Sequence, residues 1–280
     1  MTAGLLLIDK GEGVTSRYVD NRIQRLFHTH KVGHLGTLDP FATGLLIVAV
    51  NEATKYLPFL PDEDKTYVAS LRLGIKTSTG DKTGEEIETA AVPSLSKKKV
   101  IETLNAFLGE SEQLPPMTSA IKVDGTALYK LAHKGEEIER KKRKIFVHEI
   151  GLLSMEGDTI TFYAKVSKGT YMRVLGEDIA VRLGTVGYLE SLRRTKVGDI
   201  TLEKAIQLED VKEDDLLNPA SFVALPRIEI EKKDIDKVRN GVRLSFSSIS
   251  THILLTHKGK GLAVYEKTEE GPYRCLRGLL

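Results

Sequence analysis

The sequence predicts an α+β body followed by a small β-rich appendage. Segments with a two-residue apolar period and segments with a helical period are interleaved, without the regular βαβ alternation of a doubly wound sheet. The segment LLNPASFVALPR carries Pro219 and Pro226 and reads as a boundary. Beyond it, HILLTHKGKGLAVY sets two apolar runs around KGKG, the pattern of a hairpin.

The elements follow in order. Leu5–Ile8 reads as a buried strand. In GVTSRYVDNRIQRLFH, Val19, Ile23, Leu26 and Phe27 fall on one helical face, with Thr15 or Ser16 as N-cap. Leu45–Val50 is a second buried strand, and TYVASLRLG alternates like a third. Val100, Leu104, Phe107 and Leu108 predict a helix that Gly109 stops. Ile160, Phe162, Ala164 and Val166 share one side of a strand, and Met172, Leu175, Ile179 and Leu183 mark a helix closed by Gly184. A short helical pattern spans Ile235 to Val238 in the appendage.

Bulk properties narrow the function classes. A chain of 280 residues has room for one large domain and a small one. Its 41 Lys and Arg against 39 Asp and Glu give a formal charge of +2, so only local clustering can speak for nucleic acid. The single cysteine, Cys275, excludes an intrachain disulfide framework and a Cys-rich metal site, and fits a reducing cytoplasm. The apolar run Gly4–Ile8 is too short for a secretory h-region and follows no basic segment, so a cytoplasmic protein without membrane attachment is expected.

The densest chemistry lies in GHLGTLDPFATG. Asp39 before Pro40 is a helix-start pattern, with Asp as N-cap and Pro at N1. Against that, Gly44 and the strand-like run after it leave room for barely one turn. Pro40 restricts Asp39 to an extended conformation, which would present a fixed carboxylate on a stiff loop. His28, His30 and His34 with Asp39 offer a metallohydrolase alternative, although His28 and His30 suit a helix C-terminus. Arg173 in SKGTYMR stands where a strand gives way to a helix. It is either an ordinary surface arginine or a cation that keeps a carboxylate ionised. Tyr67, after Asp64 and Lys65, is either a half-buried strand tyrosine or a base-stacking surface. Lys130, Lys134, Arg140, Lys141, Lys142, Arg143 and Lys144, interleaved with Tyr129 and His133, suit phosphate contacts or a solvated loop. Arg193, Arg194 and Lys196 add a second basic stretch.

Taken together, the stretches GLLLIDKGEGVTS, VGHLGTLDPFATGLLIVAVNEATKY, DKTYVASLRLG, LPPMTSAIKVDGTALYKLAHKGEE, SKGTYMRVLGEDIA and YLESLRRTKVG resemble, in family order, the tRNA pseudouridine-55 synthases of the TruB type. The resemblance implies a mixed, largely antiparallel central sheet flanked by helices. It implies a catalytic domain over 1–221, an RNA-clamping insertion at about 117–147, and a PUA-like RNA-binding domain over 222–280. It places the catalytic aspartate on Asp39, the base-stacking tyrosine on Tyr67, the aspartate-pairing arginine on Arg173 and an apolar pocket residue on Leu192. His34 matches the histidine that fills the space left by flipped-out nucleotides, and Lys10 and Tyr171 match residues supporting the site. Lys65, Arg140, Lys141, Lys142 and Arg143 complete the expected RNA-binding set. Gly11, Leu35 and Ile47 depart from a usual proline, threonine and proline.

The implied reaction moves uracil from an N1 to a C5 linkage on the same ribose. No atoms are gained or lost, so no cofactor and no metal are expected. The implied partner is the T stem-loop of tRNA, bound by a stand-alone monomer without guide RNA, and a contribution to tRNA folding is compatible with the same surface. The target uridine must be flipped out of its stack.

Overall fold

The computed structural model describes residues 3–62, 64–117, 119, 122–123, 126–127 and 138–279. In chain order the regular elements begin with β1 (Gly4–Lys10), α1 (Ser16–Leu26), β2 (Val32–Leu35) and β3 (Thr43–Val50). Next come β4 (Asp64–Leu73), β5 (Ile75–Thr77), β6 (Glu86–Thr89), α2 (Lys97–Asn105) and β7 (Gly109–Gln113). Then follow β8 (Lys122–Val123), β9 (Thr126–Ala127), β10 (Arg143–Glu156), β11 (Thr159–Ser167), α3 (Met172–Arg182) and β12 (Gly187–Val197). The remainder comprises β13 (Ile200–Thr201), β14 (Ile206–Gln207), β15 (Arg227–Glu229), α4 (Ile235–Arg239), β16 (His252–His257), β17 (Lys260–Lys267) and β18 (Tyr273–Gly278). No helix among the described residues is long and apolar enough to cross a membrane.

The chain packs as two compact units that alternate along the sequence. One comprises Met1–Pro40, Gly44–Asp62 and Thr201–Leu280, the other Phe41–Thr43 and Glu63–Ile200. In the first, β1 runs antiparallel to β3 and parallel to β14, and β2 pairs antiparallel with the same β3. The continuous apolar runs Leu5–Ile8 and Leu45–Val50 are at most 3% exposed, as expected of strands covered on both faces.

Helix α1 starts where the sequence indicates: the Thr15 hydroxyl accepts the Tyr18 N–H at 3.0 Å. Its inward face differs from the expected stripe. Ser16, Val19, Asp20 and Ile23 are buried, while Leu26 is 38% exposed. The helix stops at Leu26, and His28 takes φ +47, so the last apolar pair turns away. Two polar residues, Ser16 and Asp20, occupy inward positions in the first half of the helix, and both make contacts described below.

The first unit also carries a separate four-stranded sheet in the order β15-β16-β17-β18, closed over a core that includes Ile253, Leu255, Ala263, Tyr265 and Tyr273. The expected hairpin is β16–β17. Its two turn residues, Lys258 and Gly259, both have positive φ, which matches the strand twist.

In the second unit the strands run β12-β4-β11-β10-β7, each pair antiparallel. Alternate residues of β4 from Lys65 to Leu73 are buried, as are Ile160, Phe162, Ala164 and Val166 of β11. Helices α2 and α3 pack on this sheet. Ser96 caps α2 by accepting the Lys99 N–H at 3.2 Å, and Leu108, beyond its end, is 48% exposed.

Candidate active site

Asp39 is half-buried and lies on the connection between β2 and β3. No helix follows Pro40. The chain makes a turn at Pro40 and Phe41 and enters β3 at Thr43, which removes the helix-cap reading. Gly36 and Gly44, with φ +68 and +100, supply the left-handed conformations at either side of the connection.

The residues flanking Asp39 are pinned. On one side, Ser16 Oγ accepts the Leu38 N–H at 2.9 Å and lies 3.1 Å from the Leu38 carbonyl oxygen, so one hydroxyl serves both backbone groups. On the other, the Pro40 carbonyl accepts the Gly13 N–H at 2.8 Å and Lys10 Nζ at 3.3 Å. Lys10 also donates to the carbonyls of Gly11 and Val14, at 2.9 and 2.7 Å. Its side chain is fully buried, so this lysine acts on the backbone around the loop. A cation that satisfies three carbonyls offsets much of the cost of its own burial.

His34, on β2, points its Nδ1 at Asp20 Oδ2, 2.9 Å away on α1, and its Nε2 at Thr37 Oγ1, 3.2 Å away. His28 and His30 sit beyond the C-terminal end of α1. Among the described residues no three His, Cys, Asp or Glu side chains are grouped to hold a metal ion.

The second unit positions the other expected site residues. Tyr67 and Lys65 are buried and alternate on one face of β4. Leu192 of β12 stands opposite Ala69, and Arg194 opposite Tyr67, so Tyr67, Leu192 and Arg194 share that face. Arg194 is 1% exposed, although its sequence context reads as part of a basic surface stretch.

Arg173, the second residue of α3, is 4% exposed. Its Nη1 donates to the Thr79 carbonyl at 2.8 Å, and its Nε lies 3.7 Å from Asp81 Oδ2. Asp81 is held in turn by the Thr79 hydroxyl and by the N–H and hydroxyl of Thr83, all on Oδ1. One turn along α3, burial pushes the Glu177 carboxyl above its ordinary pKa, against the opposing pull of Lys76. The residue before α3 is clamped as well. The Tyr171 N–H donates to Gln113 Oε1 at 2.9 Å, and Gln113 Nε2 donates back to the Tyr171 carbonyl at 3.3 Å.

Asp20, Asp81 and Gln113 carry no reading from the sequence, and Ser16 and Arg194 read there only as an N-cap candidate and as part of a basic stretch. The signal available for two of them was a polar residue at a position that periodicity assigns to the interior: Asp20 beside Val19 in α1, and Arg194 two residues from Leu192.

Of the basic stretch, Lys141, Lys142 and Arg143 are exposed, Arg140 Nη1 donates to the Pro115 carbonyl at 2.9 Å, and Lys144 pairs with Glu110 at 2.9 Å. Tyr129, Lys130, His133 and Lys134, within the expected RNA-clamping insertion, lie outside the described residues.

A family model described as TruB family pseudouridylate synthase (N terminal domain) matches residues 24–172, more than half of the chain. The chain belongs to the TruB family of pseudouridylate synthases. Members of this family isomerise uridine, and this TruB-family chain is an enzyme of that class. It is 43% identical over 252 residues to the tRNA pseudouridine synthase B of Hydrogenovibrio crunogenus (strain DSM 25203 / XCL-2), covering 89% of this chain and 83% of that protein. With the tRNA pseudouridine synthase B of Clostridium kluyveri it shares 40% identity over 250 residues, 88% of this chain and 86% of the relative. Among solved structures, a chain in a crystal structure of a Cbf5-Nop10-Gar1 complex superposes with a TM-score of 0.75 at 24% identity, covering 99% of this chain and 85% of that one. A chain of an H/ACA RNP bound to a substrate RNA containing 2′-deoxyuridine gives 0.71 at 22%, with the same coverage. At these identities the structural likeness speaks for the fold. The expected TruB-type architecture, a mixed and largely antiparallel sheet with helices and a small C-terminal β-sheet, is the one found.

Proposed function

We propose that this TruB-family enzyme converts uridine 55 in the TΨC loop of tRNA to pseudouridine, and that Asp39 is the carboxylate on which the reaction depends. The observation that carries the reading is the mounting of Asp39 between two pinned neighbours, Leu38 and Pro40. Positioning to within a fraction of an ångström is what a carboxylate acting at a sugar–base junction requires. The name tRNA pseudouridine synthase B, carried by relatives across most of their length, supports tRNA as substrate.

In this reading the flipped uridine stacks on Tyr67. Asp39 acts at the ribose, either on C1′ or on a sugar proton. The N1–C1′ bond breaks, the base turns, and a C5–C1′ bond forms. The proton lost from C5 is balanced by the one gained at N1. Arg173 keeps Asp39 ionised and oriented, Leu192 keeps water from the sugar, and His34 fills space left by displaced bases. Tyr171 and Lys10 support the site, and the exposed Lys141, Lys142 and Arg143 follow the RNA backbone, whereas Lys65 is buried and Arg140 is engaged with the Pro115 carbonyl. Residues 222–280 serve as a PUA-like RNA-binding domain behind a catalytic domain of 1–221. The enzyme acts as a cytoplasmic monomer that needs no guide RNA.

The test is modification mapping by a pseudouridine-specific chemical adduct on an unmodified tRNA transcript. The wild-type protein is expected to place one adduct at position 55. Asp39→Asn should bind the same transcript with a Kd within about threefold and give no adduct. An adduct at another position would reject the site assignment, and product from Asp39→Asn would reject the role of the carboxylate.

A further inference from the structure

The geometry points to Asp20 as a positioning residue that fixes the rotamer and proton placement of His34 for RNA binding, an inference that rests on the reading of His34 as RNA-facing. Asp20 occupies an inward position of α1 beside Val19 and near Ile23, both fully buried. Its side chain is 3% exposed. A carboxylate at such a place is costly unless it is well bonded. Here one oxygen, Oδ2, meets His34 Nδ1 at 2.9 Å. Arg17 Nη1 lies 3.8 Å from the same oxygen, on a side chain 69% exposed, and is a weak partner. The other oxygen, Oδ1, is buried without a hydrogen-bond partner among the described residues.

This half-bonded carboxylate is poorly explained by stability. An apolar side chain there would extend the stripe of Val19 and Ile23 and leave no orphaned oxygen. What Asp20 does uniquely is address His34. An ionised carboxylate only accepts, so Nδ1 carries the hydrogen. In the neutral ring Nε2 is then an acceptor and takes the Thr37 hydroxyl, 3.2 Å away at the exposed edge. The imidazole is therefore anchored at both nitrogens, between a buried carboxylate and a hydroxyl two residues before Asp39. A ring already fixed in plane and orientation loses no rotamer freedom when RNA closes over it, which is how preorganisation raises affinity.

The experiment uses the full chain with ¹⁵N-labelled histidine at pH 8, together with steady-state kinetics on a tRNA transcript. Wild-type His34 should show a protonated Nδ1 and an unprotonated Nε2, and Asp20→Leu should shift the proton to Nε2. Asp20→Leu should raise KM about tenfold, keep kcat within about twofold, and leave the melting temperature equal or higher. Asp20→Asn, which keeps the shape and loses the charge, should fold as wild type with a KM between the two. In a His34→Ala background, Asp20→Leu should add nothing to KM, since the two residues act as one unit. An unchanged proton position in Asp20→Leu, a KM effect that persists without His34, or a lowered melting temperature with unchanged KM in both Asp20 variants overturns the inference. If His34→Ala alone has the wild-type KM, the RNA-facing reading of His34 fails. If His34→Ala raises KM and Asp20→Leu does not, only the role of Asp20 fails.

Discussion

Arg173 and Asp81 form an ion pair with side chains only 4% and 6% exposed, Nε lying 3.7 Å from Oδ2. The pair belongs to a larger lattice, because Asp81 Oδ1 takes hydrogen bonds from Thr79 and Thr83 while the Thr79 carbonyl takes Arg173 Nη1. Gly80, at φ +73, lets this loop lie close to α3, where a Cβ would come within 3.4 Å of Arg173 Cβ. The guanidinium is thus aimed by one short loop.

Removing Asp81 takes a carboxylate partner away from a buried cation. Asp81→Ala is expected to cost about 3–5 kcal/mol of stability, the range for breaking a buried pair from one side. Asp81→Asn keeps the shape and should cost less. Both should lower kcat by about a hundredfold with KM nearly unchanged, because Arg173 is read as acting on Asp39 during the chemical step. Thermal melts and single-turnover rates check this, and a wild-type rate in Asp81→Asn would contradict it.

The Ser16 hydroxyl offers a cleaner perturbation of the Asp39 loop. Ser16→Ala leaves the Leu38 N–H and carbonyl without their partner inside the protein, at a cost of about 1–3 kcal/mol. Nothing is removed from the reacting groups themselves. The expected result is a kcat lowered by about tenfold with tRNA affinity within about threefold, measured by rapid quench and by filter binding. Equal losses in affinity and rate would show that the clamp serves RNA binding instead.

Glu177 gives a pH signature. Burial, the largest cause, raises its folded pKa above the ordinary carboxylate value, outweighing Lys76 and Arg173. The folded state therefore holds this proton more tightly than the unfolded chain. Stability falls as pH rises from the ordinary carboxylate value through the raised one, and the full penalty applies at neutral pH. Glu177→Gln should melt at a higher temperature than wild type at pH 7, and the difference should close below the ordinary carboxylate pKa. Melts across that range decide it.

Much of the fold was legible because burial follows period. Leu5–Ile8, Leu45–Val50 and the alternation of β4 and β11 sit where their apolar patterns put them. Strand β7 was not legible. GESEQ is an edge strand with Glu110, Ser111 and Glu112 exposed and only Gln113 inward, so it lacks an apolar code. Strand β10 was obscured by register shifts between Val147 and Glu149 and between Leu152 and Ser154, which break the two-residue period. In the site, Asp39 stood out through Pro40 and its flanking glycines. The residues that hold it were hidden for a physical reason. Ser16 and Lys10 act through backbone carbonyls and amides, and Asp81, which orients Arg173 and not the Asp39 loop, is far from that arginine in sequence. Neither kind of pairing leaves a local periodic signal.

The exposed cations at the C-terminal end of the expected RNA-clamping insertion offer a way to separate electrostatic binding from chemistry. Lys141, Lys142 and Arg143 are exposed, whereas Lys144 is paired with Glu110 and Arg140 is engaged with the Pro115 carbonyl. If the exposed three neutralise phosphates, each released counterion contributes close to one unit of slope in log K against log salt. Replacing all three with alanine should therefore flatten that slope by about 2 to 3 and weaken binding most at low salt. At saturating tRNA kcat should stay within about twofold, because none of the three is read as touching the reacting uridine. Arg140→Ala should behave differently, lowering the melting temperature through the lost carbonyl contact. Salt titrations of tRNA binding on both variants test the assignment. An unchanged slope in the triple variant would show these cations to be a solvated face with no role in RNA contact.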